Sequence, residues 1–161
     1  MLPLFNFLAK RKKNFDNPRV LIIPHMTRVG DLIAITPAIR AIKQKYPNSF
    51  IAVAVNKKIA VVLENSPYAD AVVVYRSNNL LGFLRKIYKR NFNWSFNFSG
   101  ASFGTLISIY GAIPNRAKLI KEKGPAGEVF TNRFNNFKFL YKNHTDPILH
   151  YLSMLKPLKI E

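Results

Sequence analysis

Three short apolar runs, rich in β-branched residues, most constrain what this chain can fold into. The sequence reads RVLIIP at residues 19–24, FIAVAV at residues 50–55 and AVVVY at residues 71–75. Runs of this kind, without polar alternation, are typical of strands that are covered on both faces. Stretches with helical spacing of apolar residues separate them. The sequence therefore predicts a doubly wound, mostly parallel, Rossmann-like α/β sheet, with residues 19–24 as a central strand.

The rest of the chain continues this alternation of strands and helices. We expect helices at residues 36–46, 57–64, 79–90, 102–110 and 146–155, and further strands at residues 94–98 and 117–120. Residues 121–136 are polar and contain glycine and proline, which predicts a loop. Thr36 is expected to cap the helix that follows it, and Thr145 or Asp146 to cap the last helix. Residues 19–161 are expected to form a single domain.

The chain carries a large positive charge. Its 161 residues include 25 Lys and Arg but only 8 Asp and Glu, which gives a formal net charge of +17. Such a surplus points to an anionic partner, namely nucleic acid, an anionic membrane surface or a phosphorylated ligand. No zinc-finger, helix-turn-helix or RNA-binding sheet motif is evident, which counts against nucleic acid. Cysteine is absent and the three histidines are scattered, so no metal site is expected.

Residues 1–18 form a basic N-terminal segment, in which a short apolar stretch precedes the cluster Lys10-Arg11-Lys12-Lys13. A secretory signal has the opposite order, with its positive charges first. No stretch of the sequence reaches the length that spans a bilayer. The segment is expected to be either a frayed terminus or a small anchor lying in the membrane interface.

The most informative motif is HMTRVGDLIAITPAIR, from His25 to Arg40, directly after the first strand. Parallel sheets bind ligands beyond the carboxyl ends of their strands, so this segment is expected at the ligand mouth. Gly30 is expected to permit a tight turn that brings backbone N–H groups close to a ligand. The single glycine excludes the dinucleotide fingerprint, and the lack of a GKS or GKT sequence excludes a P-loop.

This motif, a strand followed by R-x-G-D and then T-P-A, resembles glycosyltransferase family nine, the heptosyltransferases of lipopolysaccharide core assembly. Further segments resemble the family in the same order: Tyr46-Pro47, residues 65–70, residues 92–100, and residues 144–155. The likeness implies the N-terminal, acceptor-binding half of a two-domain GT-B enzyme whose other domain binds the nucleotide-sugar donor. That donor domain is absent from this sequence, so the chain is expected to transfer sugar poorly alone.

The resemblance also implies roles for individual residues. It makes Asp31 the catalytic base, because a sugar hydroxyl must lose its proton as it attacks the anomeric carbon. From the residues alone, Asp31 could equally cap the turn before the helix. Arg28 is expected to hold an acceptor carboxylate or phosphate, the alternative being a solvated loop cation. The remaining residues expected to bind the acceptor are Thr27, Gly30, Thr36, Arg76, Arg85 and Lys86. No cofactor is implied, and a nucleotide-sugar such as ADP-heptose would be a substrate of the complete enzyme.

The chain departs from the family pattern at four positions. Asn93 and Asn97 stand where aspartates are usual, Ser99 where histidine is frequent, and His25 where many relatives carry arginine.

The alternative function is a non-enzymatic basic module that binds anionic lipid or nucleic acid. For the glycosyltransferase, the expected partners are a glycolipid or glycan acceptor, an anionic membrane surface and a separate donor domain. The expected location is the cytoplasm, peripheral on the inner face of the cytoplasmic membrane.

Overall fold

The structure, a computed structural model, describes residues 16–141 and 145–160. Its strands are β1 (Arg19–Ile23), β2 (Phe50–Asn56), β3 (Ala71–Tyr75), β4 (Trp94–Asn97), β5 (Asn115–Ile120) and β6 (Phe137–Leu140). Its helices are α1 (Val29–Ala34), α2 (Thr36–Lys45), α3 (Lys57–Ala60), α4 (Leu80–Lys89), α5 (Ser102–Tyr110), α6 (Ala126–Asn132) and α7 (Pro147–Ser153). Short 3-10 turns lie at Val61–Leu63, Ser77–Asn79 and Lys156–Leu158. Within these described ranges, no helix has the length and apolar content needed to cross a bilayer.

The six strands form one sheet, ordered β3-β2-β1-β4-β5-β6, in which every neighbouring pair is parallel. This is the strand order of the Rossmann fold. Strand β1 is central, since Leu21 is in register with Ala52 on one side and with Ser95 on the other. The predicted doubly wound sheet and its central strand are therefore confirmed.

Each face of the sheet carries its own apolar core. Val20 and Ile22 of β1 pack in a cluster with residues of α2 and α7, whereas Leu21 and Ile23 pack in a cluster with residues of α4 and α5. All four side chains are buried, because alternate residues of a strand point to opposite faces. The missing polar alternation in the sequence reflects this double coverage.

The C-terminal part of the sheet differs from the sequence prediction. Residues 121–136, expected to form a loop, contain helix α6, and strand β6 follows it. The short helix contains Gly127 and packs against α5, so tertiary contact rather than helix propensity stabilises it. Strand β6 is an edge strand in which Phe137 and Phe139 pack against the core while Lys138 is exposed.

The predicted turn at Gly30 and the predicted cap at Thr36 are wrong. Gly30 lies inside α1, and a side chain added there would meet no atom within 4 Å. Helix α1 runs almost directly into α2: the Ile35 amide donates to the carbonyl of Asp31, and the Ile39 amide donates to the carbonyl of Ile35. The Thr36 hydroxyl instead donates to the carbonyl of Leu32 at 3.3 Å. The cap at Asp146 is confirmed, since its carboxylate accepts from the amide of Ile148.

Residues 65–70, one of the family-like segments, end in a carboxylate with a structural role. Asp70 accepts a hydrogen bond from the Ile51 amide at 2.7 Å and from the Lys43 ammonium at 2.8 Å. The same ammonium donates to the carbonyl of Ser49 at 2.7 Å. One side chain therefore connects the entry of β3 to β2 and to helix α2.

Removing this carboxylate should destabilise the fold. Asp70→Ala is expected to lower the free energy of unfolding by about 2 kcal/mol, because charge-assisted hydrogen bonds are lost and the Ile51 amide loses an acceptor. Urea denaturation measures the change. Glu64→Ala, at an exposed position, should stay within about 0.5 kcal/mol of the parent. Equal effects of the two substitutions would contradict the anchoring role of Asp70.

A lysine is fully buried on the face of the sheet toward α6. The ammonium of Lys118 in β5 donates to the Thr131 hydroxyl at 3.1 Å and lies 3.4 Å from the Glu128 carbonyl. Burial lowers the pKa of Lys118, an effect that the negative charge of Glu128 partly offsets. The lysine thereby ties helix α6, which carries Glu128, to the sheet.

This buried lysine should make stability depend on pH. In the window between the lowered folded pKa and the ordinary value of 10.5, the unfolded chain binds more protons than the folded one. The contribution of Lys118 to the free energy of unfolding should therefore rise with pH through that window. Lys118→Met is expected to flatten the rise, measured by urea denaturation at a series of pH values. Parallel pH curves for parent and variant would show that Lys118 titrates normally in the folded chain.

Candidate functional site

Two adjoining cavities open beyond the carboxyl ends of β1 and β4. The chain continues from β1 to β2 and β3 on one side of the sheet, and from β4 to β5 and β6 on the other. The β1–β4 pair is therefore the topological switch point, and ligands usually bind beyond the carboxyl ends of the two strands there. The larger cavity has a volume of about 380 Å³ and the smaller about 260 Å³. Both are lined by Pro24 and His25 after β1 and by Ser99 and Ala101 after β4.

Asp31 lies in the first turn of α1 and lines the larger cavity. Its side chain is 37% exposed, and its carboxylate lies 4.0 Å from the guanidinium of Arg28, beyond hydrogen-bond distance. The amide of Arg28, the residue before the helix, donates to the carbonyl of His25, and no side chain caps α1. Asp31 therefore does not cap the helix, which leaves its carboxylate facing the cavity.

The larger cavity brings charges of both signs together with two phenols. Arg28 and Lys121 supply the cations, Asp31 and Glu128 the carboxylates, and Tyr141 and Tyr151 the hydroxyl groups. These side chains come from α1 and the residue before it, from the segments after β5 and β6, from α6 and from α7. A mixed lining of this kind suits a polar ligand that carries both hydroxyl and anionic groups.

Tyr151 is held in this wall by α7, with its ring edge-to-face against Phe98 at 5.2 Å between centroids. Burial raises the pKa of Tyr151, and the negative charge of Asp31 and the nearby Tyr141 raise it further. The phenol therefore keeps its proton at neutral pH and can donate a hydrogen bond beside a carboxylate. Asp31 can accept a proton from a ligand hydroxyl, while Arg28 and Lys121 can hold a ligand anion.

The smaller cavity is more apolar. Tyr75 and Phe103 form an edge-to-face pair at 5.3 Å on its wall, next to Met26. Thr27 also lines this cavity, and its hydroxyl lies 3.2 Å from Nδ1 of His25. Among the described residues, no group of acidic, histidine or cysteine side chains could hold a metal ion.

The structure divides the predicted binding residues into separate places. Thr27, Arg28 and Asp31 meet at the mouth of β1 and β4, with Gly30 exposed between them in α1. Thr36 is exposed on α2 and lines neither of the two cavities. The cations expected with them lie elsewhere, beside edge strand β3 and helix α4: Arg76, Arg85 and Lys86.

Four lining residues were missed by sequence reasoning: Lys121, Glu128, Tyr141 and Tyr151. Lys121 directly follows β5, and its position at the end of a strand is the sequence signal that also marks the His25 segment. Glu128 lies in the helix that was expected to be a loop. Tyr151 lies in the correctly predicted last helix, but only the packing of α7 against the sheet brings it to Asp31.

The turn after β4 depends on the amide of Asn97, one of the departures from the family pattern. Asn97 is 1% exposed, accepts from the Ser99 hydroxyl at 2.7 Å and donates to the Ala101 carbonyl at 2.9 Å. Gly100 between them has φ 70°, and a Cβ there would lie 2.9 Å from the carbonyl of Leu119. The glycine that needs conformational freedom at this mouth is therefore Gly100 rather than Gly30.

An aspartate at position 97, which the resembled family usually has there, should destabilise the domain. Asn97→Asp puts a carboxylate oxygen against the Ala101 carbonyl, which is expected to cost about 3 kcal/mol at neutral pH. The cost should shrink in acid, since a protonated carboxyl can donate. Thermal unfolding across the acid range measures it, with Asn48→Asp in an exposed turn as the control. Unchanged stability of Asn97→Asp would overturn the role given to the amide.

Together, the fold and the cavity define a Rossmann-like α/β domain with a carboxylate in a polar pocket at its switch point. No family model matches the sequence, and no curated protein matches it.

Solved structures of similar fold belong to the group that the sequence motif resembles. E. coli heptosyltransferase WaaC with ADP-2-deoxy-2-fluoro heptose has a TM-score of 0.74 at 14% identity, over 89% of this chain and 49% of its own. A family 9 glycosyltransferase from Veillonella parvula has a TM-score of 0.71 at 15% identity, over 92% and 43%. E. coli ADP-heptose lipopolysaccharide heptosyltransferase II has a TM-score of 0.66 at 13% identity, over 83% and 40%.

These likenesses establish the fold. The predicted resemblance to the heptosyltransferases is confirmed at that level. The chain spans less than half the length of each of these three structures.

Proposed function

We propose that this chain is the acceptor-binding domain of a heptosyltransferase-like glycosyltransferase. The complete enzyme would transfer a sugar from a nucleotide-sugar, such as ADP-heptose, to a lipopolysaccharide-core or related glycan acceptor. The observation that carries the proposal is the position of Asp31, whose side chain caps no helix and is 37% exposed in the pocket at the β1–β4 switch point. The fold shared with heptosyltransferases supports it.

The proposed chemistry uses the larger cavity. The acceptor hydroxyl oxygen forms a bond to the anomeric carbon, while the bond from that carbon to the nucleoside diphosphate breaks and the diphosphate leaves with the electron pair. Asp31 takes the hydroxyl proton as the new bond forms. Arg28 and Lys121 hold carboxylate or phosphate groups of the acceptor. Tyr151, which keeps its proton, donates a hydrogen bond to the acceptor from the wall of the same cavity.

The donor must come from a second domain in this proposal. The described residues form one sheet, and the heptosyltransferase structures that share its fold are about twice as long as the part matched. A donor-binding partner, attached or separate, would close over the β1–β4 mouth and exclude water from the reacting groups. Without such a partner, sugar transfer by the 161-residue chain is expected to be slow.

The net charge of +17 supports a cytoplasmic location on the inner, anionic face of the membrane, where a lipid-linked acceptor would be found. The same charge favours the second candidate, a non-enzymatic module that binds anionic lipid or nucleic acid. The two functions differ at Asp31. A pure phosphate binder gains nothing from a carboxylate placed beside its anion.

The first test is glycan binding by the chain itself, measured by calorimetry with a phosphorylated lipopolysaccharide-core oligosaccharide. Arg28→Gln and Lys121→Gln should each weaken binding by about tenfold, because each removes one charge-assisted contact. Asp31→Asn should change binding little. An oligosaccharide affinity that none of these substitutions affects would place the glycan outside this pocket.

The second test is turnover with a donor-binding half supplied, followed as ADP release from ADP-heptose. Asp31→Asn keeps the shape of the side chain and removes the base, so it should lower turnover by about two to four orders of magnitude. Glu64→Gln, a carboxylate change on an exposed turn, is the matched control. Normal turnover by Asp31→Asn would refute the role of Asp31 as base.

A further inference from the structure

A groove lined by cations lies apart from the Asp31 pocket, between edge strand β3 and helix α4. It has a volume of about 360 Å³ and is lined by the outer side of Val72–Val74, by Asn79 and Phe83, and by Arg76, Lys86 and Arg90. Strand β3 pairs with β2 on one side and ends the sheet on the other. None of the described residues that line the groove is acidic.

The cations that line this groove take part in neither of the ion pairs found among the described residues. Those ion pairs join Arg28 to Asp31 and Lys43 to Asp70. Within the groove, the Arg90 guanidinium lies 3.4 Å from the carbonyl of Lys86, a long contact with a neutral group. Three cations in one concavity without a carboxylate repel one another, and an anion placed between them would relieve that repulsion.

The outer face of α4 adds an apolar side chain to these charges. Leu81, in the first turn of the helix, is 83% exposed. Arg85 and Lys89 follow at intervals of four residues on the same exposed face, while Phe83 and Ile87 pack on the sheet. Exposed leucine beside basic side chains is the pattern of a helix that lies in a membrane interface.

We propose that α4 and the groove beside β3 dock the chain on an anionic phospholipid bilayer. Lipid phosphates would occupy the groove between Arg76, Lys86 and Arg90, and Leu81 would enter the headgroup region. An anionic bilayer fits this surface better than a soluble anion does. The bilayer offers negative charge to the cations and an apolar environment to Leu81, whereas a soluble anion would leave Leu81 in water.

Docking on this surface would also orient the Asp31 pocket toward the bilayer. The strands are parallel, so Arg76, directly after β3, lies at the same edge of the sheet as the pocket after β1 and β4. Leu81 lies in the first turn of the helix that leaves this edge. Resting on the proposed function, this placement would hold the Asp31 pocket beside the bilayer from which a lipid-linked acceptor projects.

The test is cosedimentation of the full chain with vesicles of equal parts phosphatidylglycerol and phosphatidylcholine, compared with vesicles of phosphatidylcholine alone. Binding should require the anionic lipid and weaken as salt rises. The double variant Arg76→Glu with Lys86→Glu should lower the partition coefficient by about 30-fold or more, at roughly one kcal/mol for each positive charge removed near the surface. Leu81→Ala should lower it by about fivefold.

Matched controls separate this surface from net charge in general. Lys45→Glu with Lys156→Glu makes the same change in net charge on exposed residues of the elements that cover the opposite face of the sheet. Leu149→Ala removes a leucine that is also exposed, on α7. Both controls should bind the vesicles within about twofold of the parent chain, since neither touches the docking surface.

Equal loss in the test and control variants would overturn the proposal, since binding would then follow net charge alone. Loss of binding to a single-stranded RNA oligonucleotide, with vesicle binding unchanged, would overturn it in favour of nucleic acid. The vesicle test uses no substitution in the Asp31 pocket. Failure of the vesicle test therefore refutes the docking surface, whereas failure of the Asp31 turnover test refutes the proposed function.

Discussion

The structure depends on one strand that is enclosed on every side. Strand β1 is hydrogen-bonded to β2 and β4 and is covered by helices on both faces, so it cannot shift without breaking two ladders and two cores. Its burial fixes where the chain emerges, at Pro24 and His25. Because β4 is its neighbour across the switch point, the segments after β1 and β4 meet there and form the walls of both cavities.

The positive charge of the chain is distributed unevenly, and its local setting decides what each cation can do. Arg28 and Lys121 share a pocket with two carboxylates, which suits a ligand of mixed polarity. Arg76, Lys86 and Arg90 line a groove without described acidic residues, which suits an anionic surface. Lys118 is buried and holds α6 to the sheet through the Thr131 hydroxyl. Basic side chains thus occupy three different settings: a pocket of mixed charge, a groove lined by cations, and the buried contact between α6 and the sheet.

Asn93 and Asn97, which stand where the resembled family usually has aspartates, have structural roles in this chain. The Asn93 side chain accepts a hydrogen bond from the Arg19 amide at 2.8 Å, and the backbone carbonyl of Asn93 accepts one from the Asn115 side chain at 2.9 Å. These bonds join β1, β4 and β5 at their amino ends. Asn97 shapes the turn after β4 with an amide donor that aspartate lacks. Neither position lies among the residues that line the Asp31 pocket.

The sequence by itself determined the class of fold, the central strand and the placement of Asp31 at the mouth, because runs of β-branched apolar residues and their order report burial and connectivity locally. It also predicted most helices, since their apolar spacing is local as well. It could not predict α6 and β6, whose short segments are stabilised by packing, nor the helix at Gly30. Only the tertiary structure brought four further side chains around Asp31: Lys121, Glu128, Tyr141 and Tyr151. It also placed three of the expected binding residues at another surface, beside β3 and α4: Arg76, Arg85 and Lys86. Those groupings arise from contacts between distant parts of the chain, which no local pattern encodes.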